Sequence, residues 1–343
     1  MAFFDNDKVI DFTPMIELVD TPNTLISSMN IFDTYRHATT LQEIVRTTSG
    51  DALIPARERG GERNWMTQTG YDVRPVRIPF FPLDHNIKAE DVQDFRAFLS
   101  TTDNVLEATQ SVVSRYVATA MRNAAYTKEA ILANALMGRQ FVGVDRDGFS
   151  NENFNYDYYT LWGVTQESAT VDFTSTTIDP TDVIEEQVRA YMIDTIKDGS
   201  SVTDMVVVCG RSFFSKLITS PYIRTIYAAA VAAGRNPNLL FDRVGGNLNA
   251  RTFEFRNVTY VEDIHGNVPT SEAYAFPRGV ANMFQAHYAP ADHYSYANQI
   301  GQDYYQFLIQ DEANRVLRLQ TEFSLLGMNT RPELVVKLSD ANP

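Results

Sequence analysis

The residues best able to do chemistry in this sequence are few and scattered. Of its five histidines, only His287 and His293, with Asp292 between them, lie close enough to suggest a shared metal ion. The stretch HYAPADH lacks the i, i+4 spacing that places two histidines on one helical face, and it lacks a glutamate base, so loop histidines beside tyrosines are the better reading. Asp145, Asp147 and Gly148 match the opening of a calcium loop, but the third ligand before the glycine and the closing bidentate glutamate are missing; a polar hairpin turn explains them better. Gly245 and Gly246 in RVGGN belong to no phosphate-loop or dinucleotide pattern and read as a turn. Cys209, the single cysteine, ends the apolar run DMVVVC without an identifiable basic neighbour, so a small core residue is expected. A lone cysteine also excludes an intramolecular disulfide and any zinc site built on cysteine pairs. No catalytic residue, metal or cofactor is assigned, and nothing in these spacings demands an enzyme.

The elements that would position such residues are unusual in kind. Residues 1–39 mix Asp, Pro, Asn and Thr with single hydrophobics, the pattern of an extended arm that packs on something else. Thr40–Pro55 and Asp72–Phe81 are strand-like around a polar, glycine-bearing tip. Pro55, Pro75, Pro79 and Pro82 fit the edges and bends of a long ribbon. Asp103–Met137 carries apolar residues at Val113, Val117, Ala120, Ala124, Ile131 and Ala135, which predicts one long helix stopped at Gly138. Gln140–Val164 reads as a hairpin. From Asp179 an α+β mixture is expected: a helix over Thr181–Ile196, a buried strand at Asp204–Cys209, one or two helices over Ser212–Ala233, then short strands. Three further strands follow within Tyr304–Leu338 and return to the first unit.

Length and charge narrow the class. The 343 residues exceed a usual single domain, and 29 Lys+Arg against 43 Asp+Glu leave a formal charge of −14, which argues against binding nucleic acid through phosphate neutralisation. The apolar runs are too short to cross a bilayer, and the opening residues lack a signal-peptide pattern, so a soluble product that stays where it is made is expected. At the ribbon tip, Arg57, Glu58, Arg59, Gly60, Gly61, Glu62 and Arg63 offer paired charges to another surface. An ordinary solvated turn is the plainer reading of these residues taken alone.

The order of these segments resembles a known family. ALIPARERGG (Ala52–Gly61), VRIPFFPLDHNIKAEDV (Val76–Val92) and the long helix after them are similar to the major capsid protein E family of lambda-like tailed bacteriophages. The closing run QDEANRVLRLQTEFSLLGMNTRPELVVKL is similar to that family's final strands. The resemblance implies the Hong Kong phage capsid fold: an N-terminal arm (1–39), an extended β loop (40–86), a peripheral domain with spine helix and hairpin (87–178), an axial domain (179–298) and C-terminal strands rejoining the peripheral domain (299–343). It implies a non-enzymatic shell protein of the virion, assembled in the host cytoplasm as hexamers and pentamers around double-stranded DNA that it does not bind specifically. It further implies a separate scaffolding protein, a portal protein and a decoration protein as partners, with no membrane association. The tip residues 57–63 become inter-subunit contact candidates. Some capsids of this fold crosslink a loop lysine, whereas Thr39–His85 contains none, so a loop held non-covalently is expected. Alternative readings are a tail or other virion component and, more distantly, a metal-dependent enzyme using His287, Asp292 and His293.

Overall fold

The structure, a computed structural model, describes residues 9–11, 24–47, 71–91, 105–141, 143, 152–196, 202–225, 244–247, 250–311 and 315–342. Chain order begins β1 (Val9–Asp11), α1 (Leu25–Ser28), β2 (Asp33–Arg36), β3 (Leu41–Thr47), β4 (Tyr71–Arg77), β5 (Phe80–Lys88), α2 (Val105–Leu136), α3 (Tyr158–Trp162) and β6 (Glu167–Val171). It continues with α4 (Arg189–Thr195), β7 (Met205–Cys209), α5 (Arg211–Thr219), β8 (Val244–Asn247), β9 (Ala250–Phe255), β10 (Val258–Glu262) and β11 (Glu272–Pro277). The remaining strands are β12 (Phe284–Tyr288), β13 (Tyr305–Gln310), β14 (Val316–Asn329) and β15 (Val336–Asp340). The class is α+β, as expected.

The chain forms two compact units, each drawn from three segments: Met1–Gln42, Val76–Leu132 and Ala286–Gly327 in the first, Glu43–Pro75, Ala133–Gln285 and Met328–Pro343 in the second. In the first, a sheet ordered β1-β13-β14-β12-β2 also carries β5, which pairs antiparallel with β14 from Val316↔Lys88 to Ser324↔Phe80. The segment expected to be an arm thus contributes β1, paired with β13 from Val9↔Ile309 to Asp11↔Phe307. Val113, Val117 and Met121, four residues apart on α2, bury one stripe against Ile87, Leu308 and Leu319.

Helix α2 contains 32 residues, about 48 Å at 1.5 Å each. All six apolar positions that predicted it are buried. It ends where Gly138 takes φ +86°, with Gly138 N–H donating to Ala135 O and Arg139 N–H to Asn134 O, a Schellman stop. A Cβ at Gly138 would lie 2.3 Å from the Tyr159 ring, so both conformation and space call for glycine.

The second unit is organised by a seven-stranded sheet ordered β6-β15-β11-β7-β10-β9-β8. β7 is its centre, parallel to β10 and antiparallel to β11, and all five of its residues are buried, which is why its sequence is continuously apolar rather than alternating. Phe213, Phe214 and Leu217 of α5 and Met192 of α4, with Ile184 and Val188 just before it, pack into the same core. β9 and β10 meet in a two-residue turn, Arg256 at φ 51° and Asn257 at φ 62°. An arginine is unusual there. Its guanidinium is held by Asp179 at 3.0 Å and Asp182 at 2.5 Å, which offsets the backbone strain.

Three expectations differ from the structure. Of the closing strands expected to return to the first unit, β15 lies instead in the second unit's sheet, between β6 and β11. Within Gln140–Val164, Tyr158–Trp162 is helical rather than a hairpin strand: Asp157 caps it through Tyr159 N–H, Gly163 ends it at φ 64°, and the single bridge Arg139↔Asp157 closes its base. Gly245 and Gly246 lie within β8, opposite Thr252 and Arg251, and not in a turn.

Candidate assembly surface

β3 and β4 form a two-stranded ribbon whose base is tied by Ile78 N–H to Thr40 O at 2.8 Å. Ile44 and Val76 are buried. Leu41, Val45, Tyr71 and Val73 are between 44% and 66% exposed, although each is a large apolar residue on a regular strand. A ribbon that presents this many apolar side chains to water is a surface made to be covered. The proposed tip residues, Arg57 to Arg63, lie outside the described residues, as do Asp145, Asp147 and Gly148.

The far end of β3, away from the ribbon's base, is anchored by charge. Arg46 pairs with Glu333 at 2.7 Å with both side chains largely buried, lies over the Trp162 ring at 5.8 Å, and shares Glu333 with Arg331 at 3.5 Å. The Trp162 indole N–H donates to Asn329 O. Breaking this pair leaves a partly buried Glu333 carboxylate with less compensation. Arg46→Ala is therefore expected to lower the unfolding free energy of the second unit by about 2 kcal/mol in urea titration. Arg46→Lys should recover only part of the loss, because an ammonium lacks the planar face that stacks on indole.

In the first unit, the chain around α1 and β2 is held by polar contacts of long sequence separation. Thr24, at the N-cap of α1, makes no side-chain cap. The cap comes instead from Glu129 on α2, a 1% exposed carboxylate that accepts from Ile26 N–H at 2.5 Å, Ser27 N–H at 3.1 Å and the Ser27 hydroxyl at 3.0 Å. Arg36 donates to Asp303 at 2.5 Å and to Gly301 O at 3.2 Å, and Lys128 meets the same Asp303 at 3.2 Å. Both cations lie over the Tyr288 ring. Burial opposes the charge on Lys128, while Tyr288, Tyr304 and Asp303 favour it, and the balance raises its pKa.

The candidate metal ligands and the candidate nucleophile are drawn to other partners. His287 meets His37, with Nδ1 and Nε2 2.8 Å apart. His293 stacks on Phe307, and its Nδ1 accepts from Ser295 N–H. Among the described residues, no group of three or more His, Cys, Asp or Glu side chains is arranged to hold a metal ion. Cys209 is fully buried, and burial, then Glu262, pushes its thiol pKa well up, the opposite of an activated nucleophile. A cleft of about 210 Å³ beside α4 and the β9–β10 turn is lined by Met192 and Met205 together with Glu185, Arg189, Asp204 and Arg256. Its charges pair within the unit, Glu185 with Arg189, Arg256 with Asp179 and Asp182, and Asp204 with Arg278.

Known proteins match this arrangement over nearly its whole length. The profile of the family described as phage major capsid protein E matches residues 9–339. The major capsid protein of Pseudomonas phage KPP10 is 27% identical over 354 residues, covering 97% of each chain, and that of Salmonella phage Felix O1 is 25% identical, covering 93% of each. In the mature capsid of bacteriophage PhiM1, a chain 13% identical superposes with a TM-score of 0.55, over 100% of this chain and 92% of that one. The last likeness extends the fold to the Hong Kong type of phage capsid subunit. With a family match spanning all but the ends of the sequence, the chain belongs to the phage major capsid protein E family.

Proposed function

We propose that the chain assembles through hexamers and pentamers into the icosahedral shell that encloses the double-stranded DNA of a tailed phage. The observation that carries this reading, beyond family membership, is the ribbon with Leu41, Val45, Tyr71 and Val73 open to water, which needs neighbouring copies to cover it. In this reading residues 1–39 are the arm, 40–86 the extended loop, 87–178 the peripheral domain, 179–298 the axial domain, and 299–343 the strands returning to the peripheral domain. The charged tip, Arg57 to Arg63 with its two glycines, would reach a neighbouring subunit. The absence of lysine from Thr39 to His85 supports a loop held without a covalent crosslink. The net charge of −14 suits a wall that surrounds DNA without adsorbing it. A separate scaffolding protein, a portal protein and a decoration protein are the proposed partners, and the host cytoplasm is the proposed place of assembly. The chain's role is structural rather than enzymatic.

Electron microscopy of the purified full chain, alone and with its scaffolding partner, tests the reading. Closed particles support it, and a persistent monomer under both conditions refutes it. Uniform shells from the chain alone would remove the need for a scaffold. Within the shell reading, the double change Arg59→Glu and Arg63→Glu is expected to reduce particle yield at least ten-fold while circular dichroism stays unchanged. Normal yields would show that the tip charges are dispensable.

A further inference from the structure

The pairing of β2 with β12 has two chemically different sides. Successive residues of a strand face opposite ways, so Tyr35 and His37 share one side and Arg36 takes the other, as do His287 and Tyr288 on β12. On the first side, the His287 ring lies nearly parallel to those of Tyr35 and His37, with centroids 5.2 Å and 5.1 Å away and both interplanar angles 18°, and it meets His37 edge to edge. The imidazoles share a 2.8 Å N···N hydrogen bond, with His287 only 4% exposed. Just past β2, His37 N–H donates to Tyr288 O and His37 O accepts from Gly301 N–H. Among the described residues, ionisable groups around the seam include Tyr35, Tyr288, Lys128 from α2, Asp303 and Tyr304 from the chain before β13, and Arg36 from β2 itself.

An imidazole pair at this distance needs one donor and one acceptor. Two neutral rings supply both. One added proton preserves the bond but places a charge among closely packed aromatic rings, with His287 nearly cut off from water, and a second leaves two donors facing each other with no acceptor. The nearby cations, Arg36 and Lys128, share the single carboxylate of Asp303, so they do not favour another positive charge. We propose that the His37–His287 pair is an acid-sensitive latch, which holds β2 closed on β12 while both imidazoles are uncharged and releases that strand when the pair takes up protons.

Burial, then the His37 ring, brings the His287 pKa down to about 3, and burial lowers that of His37. Once β2 is open, an imidazole regains an ordinary value of about 6.5. The sign follows: the open state binds protons more readily, so the latch holds fully above about pH 6.5 and weakens progressively as pH falls towards 3. From His287 alone, opening should become about ten-fold more frequent between about pH 7.5 and about pH 5.5.

Hydrogen exchange on the full chain, corrected for the intrinsic pH dependence of amide exchange, reads this directly. Protection of β2 and β12 is expected to fall about ten-fold over that range while β7 is unchanged. In the double variant His37→Phe, His287→Phe, which keeps the rings and removes both titrating groups, the fall should disappear. Protection that does not change with pH in the native chain, or that changes equally in the variant, overturns the latch. Should the variant fail to fold, a proton-shift titration of the native histidines decides instead. His287 must remain neutral well below pH 6, and midpoints near 6.5 for all five reject the proposal.

Discussion

Replacing Gly210 with alanine is expected to cost about 3 kcal/mol or more and to drive much of the chain into the insoluble fraction on expression. Gly210 joins β7 to α5, and a Cβ there would lie 2.0 Å from Pro269 O and 2.8 Å from two backbone atoms of Thr270. The obstructing atoms cannot simply move aside. Gly210 N–H donates to Glu272 O at 2.8 Å, Phe213 N–H to Thr270 O at 3.0 Å, and Glu272 N–H to Pro269 O at 3.0 Å, so the opposing segment is bound to this junction. Relieving the clash means lifting α5, with its fully buried Phe213, Phe214 and Leu217, off the central strand. Gly266 is the matched control: at φ +78° but with nothing within 4 Å of the place a Cβ would occupy, Gly266→Ala should cost only about 1 kcal/mol. Equal effects of the two changes in urea titration would refute the steric account.

Glu129→Ala should have the second largest effect, expressed locally. Removing the carboxylate leaves Ile26 N–H, Ser27 N–H and the Ser27 hydroxyl without their acceptor, at a cost of about 2–4 kcal/mol for docking α1 on α2. A helix of four residues cannot hold itself together without tertiary support, so α1 should unfold rather than shift. Hydrogen exchange should show loss of protection across residues 24–30 with little change in the second unit. Glu129→Gln keeps one acceptor oxygen and should lose about half as much. If particles are also recovered in lower yield from Glu129→Ala, α1 docking is part of assembly. Unchanged exchange at Ile26 would show that the cap contributes nothing.

The long-range architecture was partly written in local patterns. The stripe from Val113 to Ala135 announced α2, and Gly138 marked its end, because helical periodicity and a left-handed stop act over a few residues. DMVVVC likewise announced a strand buried on both faces. β5 was harder to see beyond Phe81: FFPLDHNIK carries Pro82 and no clean alternation, which an edge strand tolerates and a central one would not. The short helix Tyr158–Trp162 was obscured by its aromatics, although Asp157 and Gly163 were legible caps. Arg256–Asn257 gave no hairpin signal, since an arginine at positive φ depends on Asp179 and Asp182, which are more than seventy residues away in sequence. Glu129 left one faint trace, a charge set among the buried positions Ala125, Leu132 and Ala133. The His37–His287 pair left none, because no local rule joins residues separated by 250 positions. The exposed ribbon was legible as a ribbon, but which of its side chains face water depends on the packing of Ile44 and Val76.

The three-segment construction of each unit sets a timetable for synthesis. β14 is the strand on which β13 and β5 both pair, and β15 stands between β6 and β11. A chain emerging from the ribosome therefore makes β5 and β6 long before their partners exist, and neither sheet can close until residues beyond Val316 and Val336 are free. Non-local pairing of this kind delays folding to the end of translation. A chain truncated before Val316 is therefore expected to leave β5 and β6 without their partners, which limited proteolysis of such a fragment would show.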